Sequence, residues 1–344
     1  MRARYHKKTL HFKKPSGTSR GVLHEKESYF IILENGAGQK GVGECSVLKG
    51  LSLDDRPDYL DQLNHIIVEI NVERPISEIL ESLDLWPSIK FGLESALIDL
   101  ENDGVQILFP SQFTSGNAGI PINGLIWMGD KNDMLSQAQN LLERGFTCLK
   151  MKIGAINFED ELEIIAHIRN TFSEEDLILR VDANGAFLPD QAIEKLKRLS
   201  EFGLHSIEQP VKAGQIELMA ELCEHTPLAI ALDEELIGSS TFILDQINPQ
   251  YIILKPSLLG GLKSSMKWIR DAEQKGIGWW VTSALESNIG LNAISQWTYT
   301  LQPIGHQGLG TGSLYTDNIA SPLEIRNEEI HYNTSKNWEL NEFF

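Results

Sequence analysis

From about residue 121 to residue 309, short β-rich runs alternate with helix-patterned stretches, and most of the runs close on a charged residue: Lys152, Asp182, Glu208, Asp233 and Lys255. These residues stand 30, 26, 25 and 22 positions apart, each separation the length of one βα unit. Parallel strands cannot be joined by a tight turn, so this cadence commits the chain to an α/β fold with helices packed outside a parallel sheet. The β-rich runs fall at 122–126, 148–153, 177–182, 206–208, 229–233, 251–255 and 279–283, with a weaker one at 304–309. Helical patterns at 159–171, 189–201 and 215–225 separate several of them. Eight such units in about 200 residues specify a (β/α)8-type barrel, in which functional side chains gather at the carboxyl ends of the strands. A doubly wound sheet is the competing fold. Against it, Gly41-Val42-Gly43 and Gly308-Leu309-Gly310 lack the remaining glycine of a dinucleotide fingerprint, and no phosphate-loop sequence is present.

The first 115 residues follow a different pattern. Runs at 5–12 and 29–34, the turn-rich Asn35-Gly36-Ala37-Gly38, and Gly41-Val42-Gly43-Glu44 read as an antiparallel meander. Apolar residues then recur at helical spacing, first at Leu60, Leu63, Ile67 and Ile70, then at Ile89, Leu93, Ala96, Leu97 and Leu100. Strands followed by segregated helices make a small α+β domain. The expected organisation is an α+β domain over 1–115, a barrel over 116–316 and a C-terminal segment over 317–344.

Charge narrows the partners. The chain carries 48 acidic and 30 basic residues, a net charge of −18, which repels phosphate backbones and anionic lipid. Nucleic acid and membranes are therefore not expected as partners, and a small molecule is. No apolar run approaches the roughly 18 residues of a membrane helix, and the basic start at Arg2, Arg4, Lys7 and Lys8 lacks the apolar stretch of a signal peptide. Three cysteines, Cys45, Cys148 and Cys223, are odd in number and without CxxC spacing, which points to structural roles in a reducing cytoplasm. The oligomeric state is not written in the sequence.

Strand alternation places Lys150 and Lys152 on one face with Met151 on the other, and groups Arg180, Asp182 and Asn184. The mouth of the barrel then presents three carboxylates on consecutive strands, flanked by lysines. Converging carboxylates raise one another's pKa values unless a cation joins them. Oxygen donors without His or Cys select a hard ion, Mg²⁺ before Mn²⁺ or Ca²⁺. One oxygen each from Asp182, Glu208 and Asp233 leaves about three octahedral positions for water or substrate. Beside Lys150 and such an ion the protonated form of Lys152 is disfavoured, which suits it to act as a base. A base facing a cation that holds a carboxylate can remove the proton α to that carboxylate, because the cation offsets the second negative charge of the ene-diolate. Lys255, across the mouth, is placed to be an acid or base on the other face, or a cation beside the intermediate.

Five segments carry a family resemblance: Lys150-Met151-Lys152, Arg180-Val181-Asp182-Ala183-Asn184, Ile207-Glu208-Gln209-Pro210, Leu232-Asp233-Glu234-Glu235 and Leu254-Lys255-Pro256. In this order they resemble the strand-end motifs of the muconate-lactonising subgroup of the enolase superfamily. The resemblance spans nearly the whole chain and implies an N-terminal α+β capping domain over a modified (β/α)7β barrel, with 317–344 returning to the cap. It implies the superfamily's Lys base and Mg²⁺, with Mn²⁺ as a substitute, held by Asp182, Glu208 and Asp233. Gly41-Val42-Gly43-Glu44-Cys45-Ser46, the run 282–287 and the run 308–312 are most similar to members that dehydrate 2-succinyl-6-hydroxy-2,4-cyclohexadiene-1-carboxylate in menaquinone biosynthesis. In those terms Lys152 takes the α proton and returns it to the departing hydroxyl, Lys255 stabilises the enolate, and Lys150 assists. Asn184, Arg180, Ser283, Gly310 and Thr311 are the expected substrate contacts, although Arg180 reads equally as a counter-charge to interior carboxylates. The rival within the superfamily is an N-succinylamino-acid racemase or dipeptide epimerase. Dipeptide epimerases carry a DxD at the eighth strand, where 308–312 here is uncharged and Asp317 lies several residues on. A barrel that binds without catalysing is the rival outside enzymes, and intact Lys152 and Lys255 count against it.

Each residue taken singly has a plainer reading. Asp182 or Asn184 suits a helix cap, Glu208 and Asp233 suit loop ends, and Lys150 and Lys152 suit an exposed edge. The joint pattern outweighs these. His65, His167, His205, His225 and His306 show no ligand spacing and are read as structural. Trp279-Trp280 is read as core packing, Gly260-Gly261 as a tight loop and Glu286 as a helix cap.

Overall fold

The antiparallel sheet β1 (Arg2–Thr18), β2 (Gly21–Glu34) and β3 (Lys40–Cys45) opens the chain in the computed structural model, which describes residues 1–18 and 21–344. β2 is central. Tyr29, Ile31 and Leu33 face the core formed with α1 (Tyr59–Asn71), α2 (Ile76–Glu81) and α3 (Pro87–Glu101), while Phe30 and Ile32 face the opposite way. Burial on both faces explains why 29–33 is apolar without alternation. The buried stripe of α1 is Tyr59, Leu63, Ile66 and Ile70, rotated from the expected one, and Leu60 is exposed. The rotation follows the rings: Tyr59 packs 5.4 Å from Tyr29 and 6.4 Å from Trp86, centroid to centroid. The glycines of β3 serve packing. A Cβ on Gly43 would lie 2.0 Å from the Gly92 carbonyl, and one on Gly92 would lie 2.4 Å from Cys45 Sγ, so α3 lies directly on the strand.

After β4 (Gly119–Pro121) the barrel elements follow in order. They are β5 (Gly124–Ile126), α4 (Lys131–Glu143), β6 (Cys148–Lys152), α5 (Phe158–Arg169), β7 (Ile178–Asp182), α6 (Pro189–Ser200), β8 (Ser206–Glu208), α7 (Ile216–His225) and β9 (Ile230–Leu232). Then come α8 (Ile243–Ile247), β10 (Tyr251–Leu254), α9 (Pro256–Leu259), α10 (Leu262–Gln274), β11 (Gly278–Val281) and α11 (Asn288–Thr300). Seven parallel strands run in the order β11-β10-β9-β8-β7-β6-β5, sequential neighbours throughout. Two expectations change. The run at 122–126 shortens to β5 with Ile122 in an isolated bridge, and the residues just before it form β4, which pairs outside the barrel sheet. The expected eighth strand at 304–309 is reduced to two bridged residues, because Gly305 takes a left-handed φ of 75° and breaks the extended chain. Gln307 bridges Ile122 and Gly308 bridges Thr282, both in parallel, so this short segment joins the two edges and closes the barrel.

β12 (Leu323–Arg326) and β13 (Glu329–Tyr332) form a hairpin that adds to β4. The chain then runs to the N-terminal sheet, where Phe343 is fully buried 4.8 Å from the Phe30 ring. A second junction lies at β1, where Lys13 N donates to Leu314 O (2.8 Å) and Thr316 N to His11 O (2.9 Å). No helix among the described residues is long and apolar enough to cross a membrane.

Candidate active site

Five consecutive strands deliver the ionic residues to one rim. β6 ends on Lys150 and Lys152, β7 on Asp182 and β8 on Glu208, with Asp233 just past β9 and Lys255 just past β10. The parallel register sets Lys152 beside Asp182 and Asp182 beside Glu208. One carboxylate oxygen from each of Asp182, Glu208 and Asp233 lies within 4.8 Å of the others, and all three side chains are buried. Lys150 Nζ donates to Glu208 Oε2 (2.6 Å) and Asp182 Oδ2 (3.1 Å). Lys152 Nζ donates to Asp182 Oδ2 (2.6 Å) and Asn184 Oδ1 (2.7 Å), and Lys255 Nζ donates to Asp233 Oδ2 (2.5 Å).

The charges do not balance evenly. Burial works against the Asp182 carboxylate, but Lys152 and Lys150 hold its pKa well below the usual range. Burial pushes Glu208 up to about 8, with Asp182 and Asp233 reinforcing the shift against Lys150. Burial also disfavours the ammonium groups of Lys150 and Lys255, yet Glu208 and Asp182 around the first, and Asp233 and Glu234 around the second, raise both pKa values. A cluster in which burial and two neighbouring carboxylates disfavour the charged form of Glu208 is short of positive charge. Glu208 Oε1 is moreover buried without a hydrogen-bond partner. An all-oxygen, buried, under-neutralised donor set fits a hard divalent cation.

A cavity of about 230 Å³ opens beside the cluster. Lys150, Lys152, Asn184 and Lys255 line it, and the carboxylates that hold the lysines do not. Its uncharged wall is Ser283, Gly310 and Thr311, with Ser283 Oγ and Thr311 Oγ1 hydrogen-bonded at 2.5 Å. Leu48, Leu51, Trp127 and Leu285 supply apolar surface.

Residues 133–336 match the Enolase C-terminal domain-like family. The chain belongs to the enolase superfamily. Within the superfamily, the o-succinylbenzoate synthase of Desulfotalea psychrophila (strain LSv54 / DSM 12343) is 47% identical, over 94% of this chain and 97% of its own length. The crystal structure of MenC from Desulfotalea psychrophila LSv54 matches with a TM-score of 0.87 at 43% identity, covering 96% of this chain and 99% of that one. Muconate lactonizing enzyme from Pseudomonas putida, 22% identical, shares the fold with a TM-score of 0.78 over 98% of this chain and 95% of its own. The chain is thus a capped (β/α)7β barrel of this superfamily.

Of the residues expected at a superfamily site, ten meet around this cavity and triad, and Arg180 does not. Arg180 shares a face with Asp182, but two residues along a strand are about 6.6 Å, so it lies one layer lower in the barrel. There its guanidinium sits 4.2 Å over the Trp280 ring and Nη1 donates to His306 O (3.0 Å). It lies outside the residues that line the cavity. Glu286 is fully buried and accepts from Ala284 N (2.6 Å). Four contributors were given no role in the sequence reading, although Gln209 and Glu234 stand within its motifs. Gln209 Oε1 accepts from Asp233 N and Glu235 N (3.2 Å each), tying the end of β8 to the loop that carries Asp233. Glu234 accepts from Asn184 Nδ2 (2.9 Å). Leu48 and Leu51 reach the cavity from the loop after β3. Apolar residues without helical or strand period, in a Gly- and Asp-rich loop, were the available signal for that pair.

Proposed function

We propose that this superfamily member is a carbon-oxygen lyase that dehydrates 2-succinyl-6-hydroxy-2,4-cyclohexadiene-1-carboxylate to o-succinylbenzoate in menaquinone biosynthesis, with Mg²⁺ as its cofactor. One observation carries the reading: a buried carboxylate triad meets lysines from two walls of one pocket, in a chain 47% identical to an o-succinylbenzoate synthase over nearly its full length. Asp182, Glu208 and Asp233 hold the ion, with Mn²⁺ as a substitute. When bound, Mg²⁺ supplies positive charge against the second negative charge of an α-deprotonated carboxylate.

The remaining steps belong to the side chains. Lys152, anchored between Asp182 and Asn184, takes the α proton and returns it to the hydroxyl that leaves as water. Lys255 stands just past β10, with β9, β8 and β7 between that strand and β6, and its ammonium offers fixed positive charge to the enolate. Lys150 bridges Asp182 and Glu208 and keeps their like charges together. Ser283, Gly310 and Thr311 form the neutral wall along which the succinyl arm lies. Loss of water makes the ring aromatic, so the site need only lower the barrier to proton removal. The three buried, unpaired thiols of Cys45, Cys148 and Cys223 support a cytoplasmic setting.

The test supplies the cyclohexadiene acid, N-succinylamino acids and dipeptides in turn, with Mg²⁺ and then with EDTA. Dehydration of the first that stops with EDTA is the expected result. Racemisation without dehydration assigns the chain to the rival chemistry, and turnover of none of them removes catalysis altogether.

A further inference from the structure

Two helices that follow catalytic strands begin with help from the other domain. α11 follows the pocket wall 283–285, and its own cap Ser287 accepts from Ile289 N (3.2 Å). The Glu44 carboxylate, at the end of β3, enters the same turn and accepts from Ser287 N (3.0 Å), Ser287 Oγ (2.5 Å) and Gly290 N (3.0 Å). Gly290 leaves room for it and for Glu286: a Cβ there would stand 2.8 Å from Glu44 Oε2 and 2.7 Å from Glu286 Cγ. α10 follows the Lys255 arm, and Gly261 at its N-cap offers no side chain. Glu94 of α3 fills that role, accepting from Leu262 N (2.6 Å) and Lys263 N (3.1 Å). A carboxylate on the free N–H groups of a first turn satisfies donors that have no partner within the helix and complements the helix dipole.

Charge behind Glu44 is supplied by the buried Lys26, 3.5 Å away, whose Nζ also donates to Ser28 Oγ (2.6 Å), which in turn donates to Glu44 Oε1 (2.7 Å). On the barrel side, Glu286 accepts from Ala284 N (2.6 Å) and from Ser257 Oγ (2.5 Å), two residues past Lys255. The pocket wall and the Lys255 arm are therefore joined to each other and, through Glu44 and Glu94, to the N-terminal sheet and α3.

We infer that Glu44 and Glu94 are positioning residues that cap α11 and α10 across the domain boundary and so hold the Ser283–Leu285 wall and the Lys255 arm in place. This rests on the proposal that the cavity is the active site. The carboxylates touch neither the cavity nor the triad, so they act only through the loops they hold.

Hydrogen exchange on the Mg²⁺-loaded protein reads the local effect without substrate. Glu44→Gln is expected to speed exchange at 287–291 by about tenfold, the size of a lost charge-assisted hydrogen bond, and to leave 262–265 unchanged. Glu94→Gln should do the reverse. In the dehydration assay Glu44→Gln should raise KM by about tenfold while kcat stays within about threefold, the pattern of a displaced binding wall. Gly290→Ala, whose Cβ meets both Glu44 Oε2 and Glu286 Cγ, should open 287–291 at least as far as Glu44→Gln, and adding Glu44→Gln to it should speed exchange there by less than a further tenfold. Exchange that rises uniformly along the chain, stays unchanged at 287–291, or opens there with KM unmoved overturns the inference, as does additivity in the double variant. If Glu44→Gln fails to fold, Glu44→Asp, which keeps the charge and shortens its reach to the α11 turn, carries the same readings. The expected exchange pattern in a protein with no dehydratase turnover would sink the functional proposal and leave the capping intact.

Discussion

Lys152 and Lys255 sit at similar depth in one pocket, yet their partners differ, and the difference assigns separate losses. Lys152 lies between Asp182 and Asn184, while Lys255 is held by Asp233. Replacing a general base lowers turnover by about 10²–10⁴, so Lys152→Ala is expected to lose kcat on that scale in a steady-state assay of product absorbance. Magnesium affinity, measured by calorimetry, should survive, since the three carboxylates remain. A Lys152→Ala protein with near-normal kcat would remove that residue from the chemistry. On the barrel floor, the His205 ring packs at a tilt 5.0 Å from Tyr251, and burial, aided by Arg180, lowers its pKa to about 4. A depressed folded pKa contributes stability that is present above the unfolded value, near 6.5, and lost as pH falls through about 4. Urea midpoints followed from pH 7 to pH 4 should therefore drop more steeply for the native protein than for His205→Phe. Parallel curves would show that His205 is not held neutral.

Among the elements, those that repeat were the most legible. Each βα unit writes its strand, its closing charge and its helix within about 25 residues, so the order of Lys152, Asp182, Glu208, Asp233 and Lys255 around the rim could be read from spacing alone. Two kinds of element were not. The segment that closes the barrel uses only Gln307 and Gly308, whose pairing depends on edges already brought together by seven other strands. The rotation of α1 depends on which large ring faces the core, and Tyr59 outweighed the aliphatic count that favoured Leu60. Arg180 shows a third limit, because alternation reports a face and says nothing of height. The pairing of β3 with α3 carries its own prediction. A methyl on Gly43 would meet the Gly92 carbonyl at 2.0 Å, and backbone on both sides cannot yield cheaply. Gly43→Ala should destabilise by about 3 kcal/mol, the upper range for overpacking, as judged by denaturant unfolding. An unchanged midpoint would mean that helix and strand can separate without cost.

For the whole molecule, the net charge of −18 and the attraction of an acidic substrate are compatible because the charge is unevenly placed: Lys150, Lys152 and Lys255 face the cavity while their carboxylate partners stand behind them. That arrangement needs the N-terminal sheet seated on the barrel, since Leu48 and Leu51 complete the cavity from that side. Sequence resemblance anticipated a cap, but the contacts that seat it join residues hundreds of positions apart and leave no local pattern to read. The C-terminal residues are one such contact. Phe343 is fully buried beside Phe30, Ile32 and Ile289, and Lys8 Nζ pairs with Glu342 at 2.8 Å, so the chain end touches the sheet and α11 together. Phe343→Ala removes a buried ring at the seam. The loss should be about 3 kcal/mol, the lower end for such truncations, because a chain end can partly refill the space. The cap core of Leu63, Ile66, Ile79 and Leu93 lies elsewhere and should stay folded. Urea unfolding followed by far-UV circular dichroism should therefore show a lowered midpoint, while the magnesium isotherm at Asp182, Glu208 and Asp233 keeps its shape. A variant with weakened magnesium binding and an unmoved midpoint would mean that the chain end acts on the metal site and not on the seam.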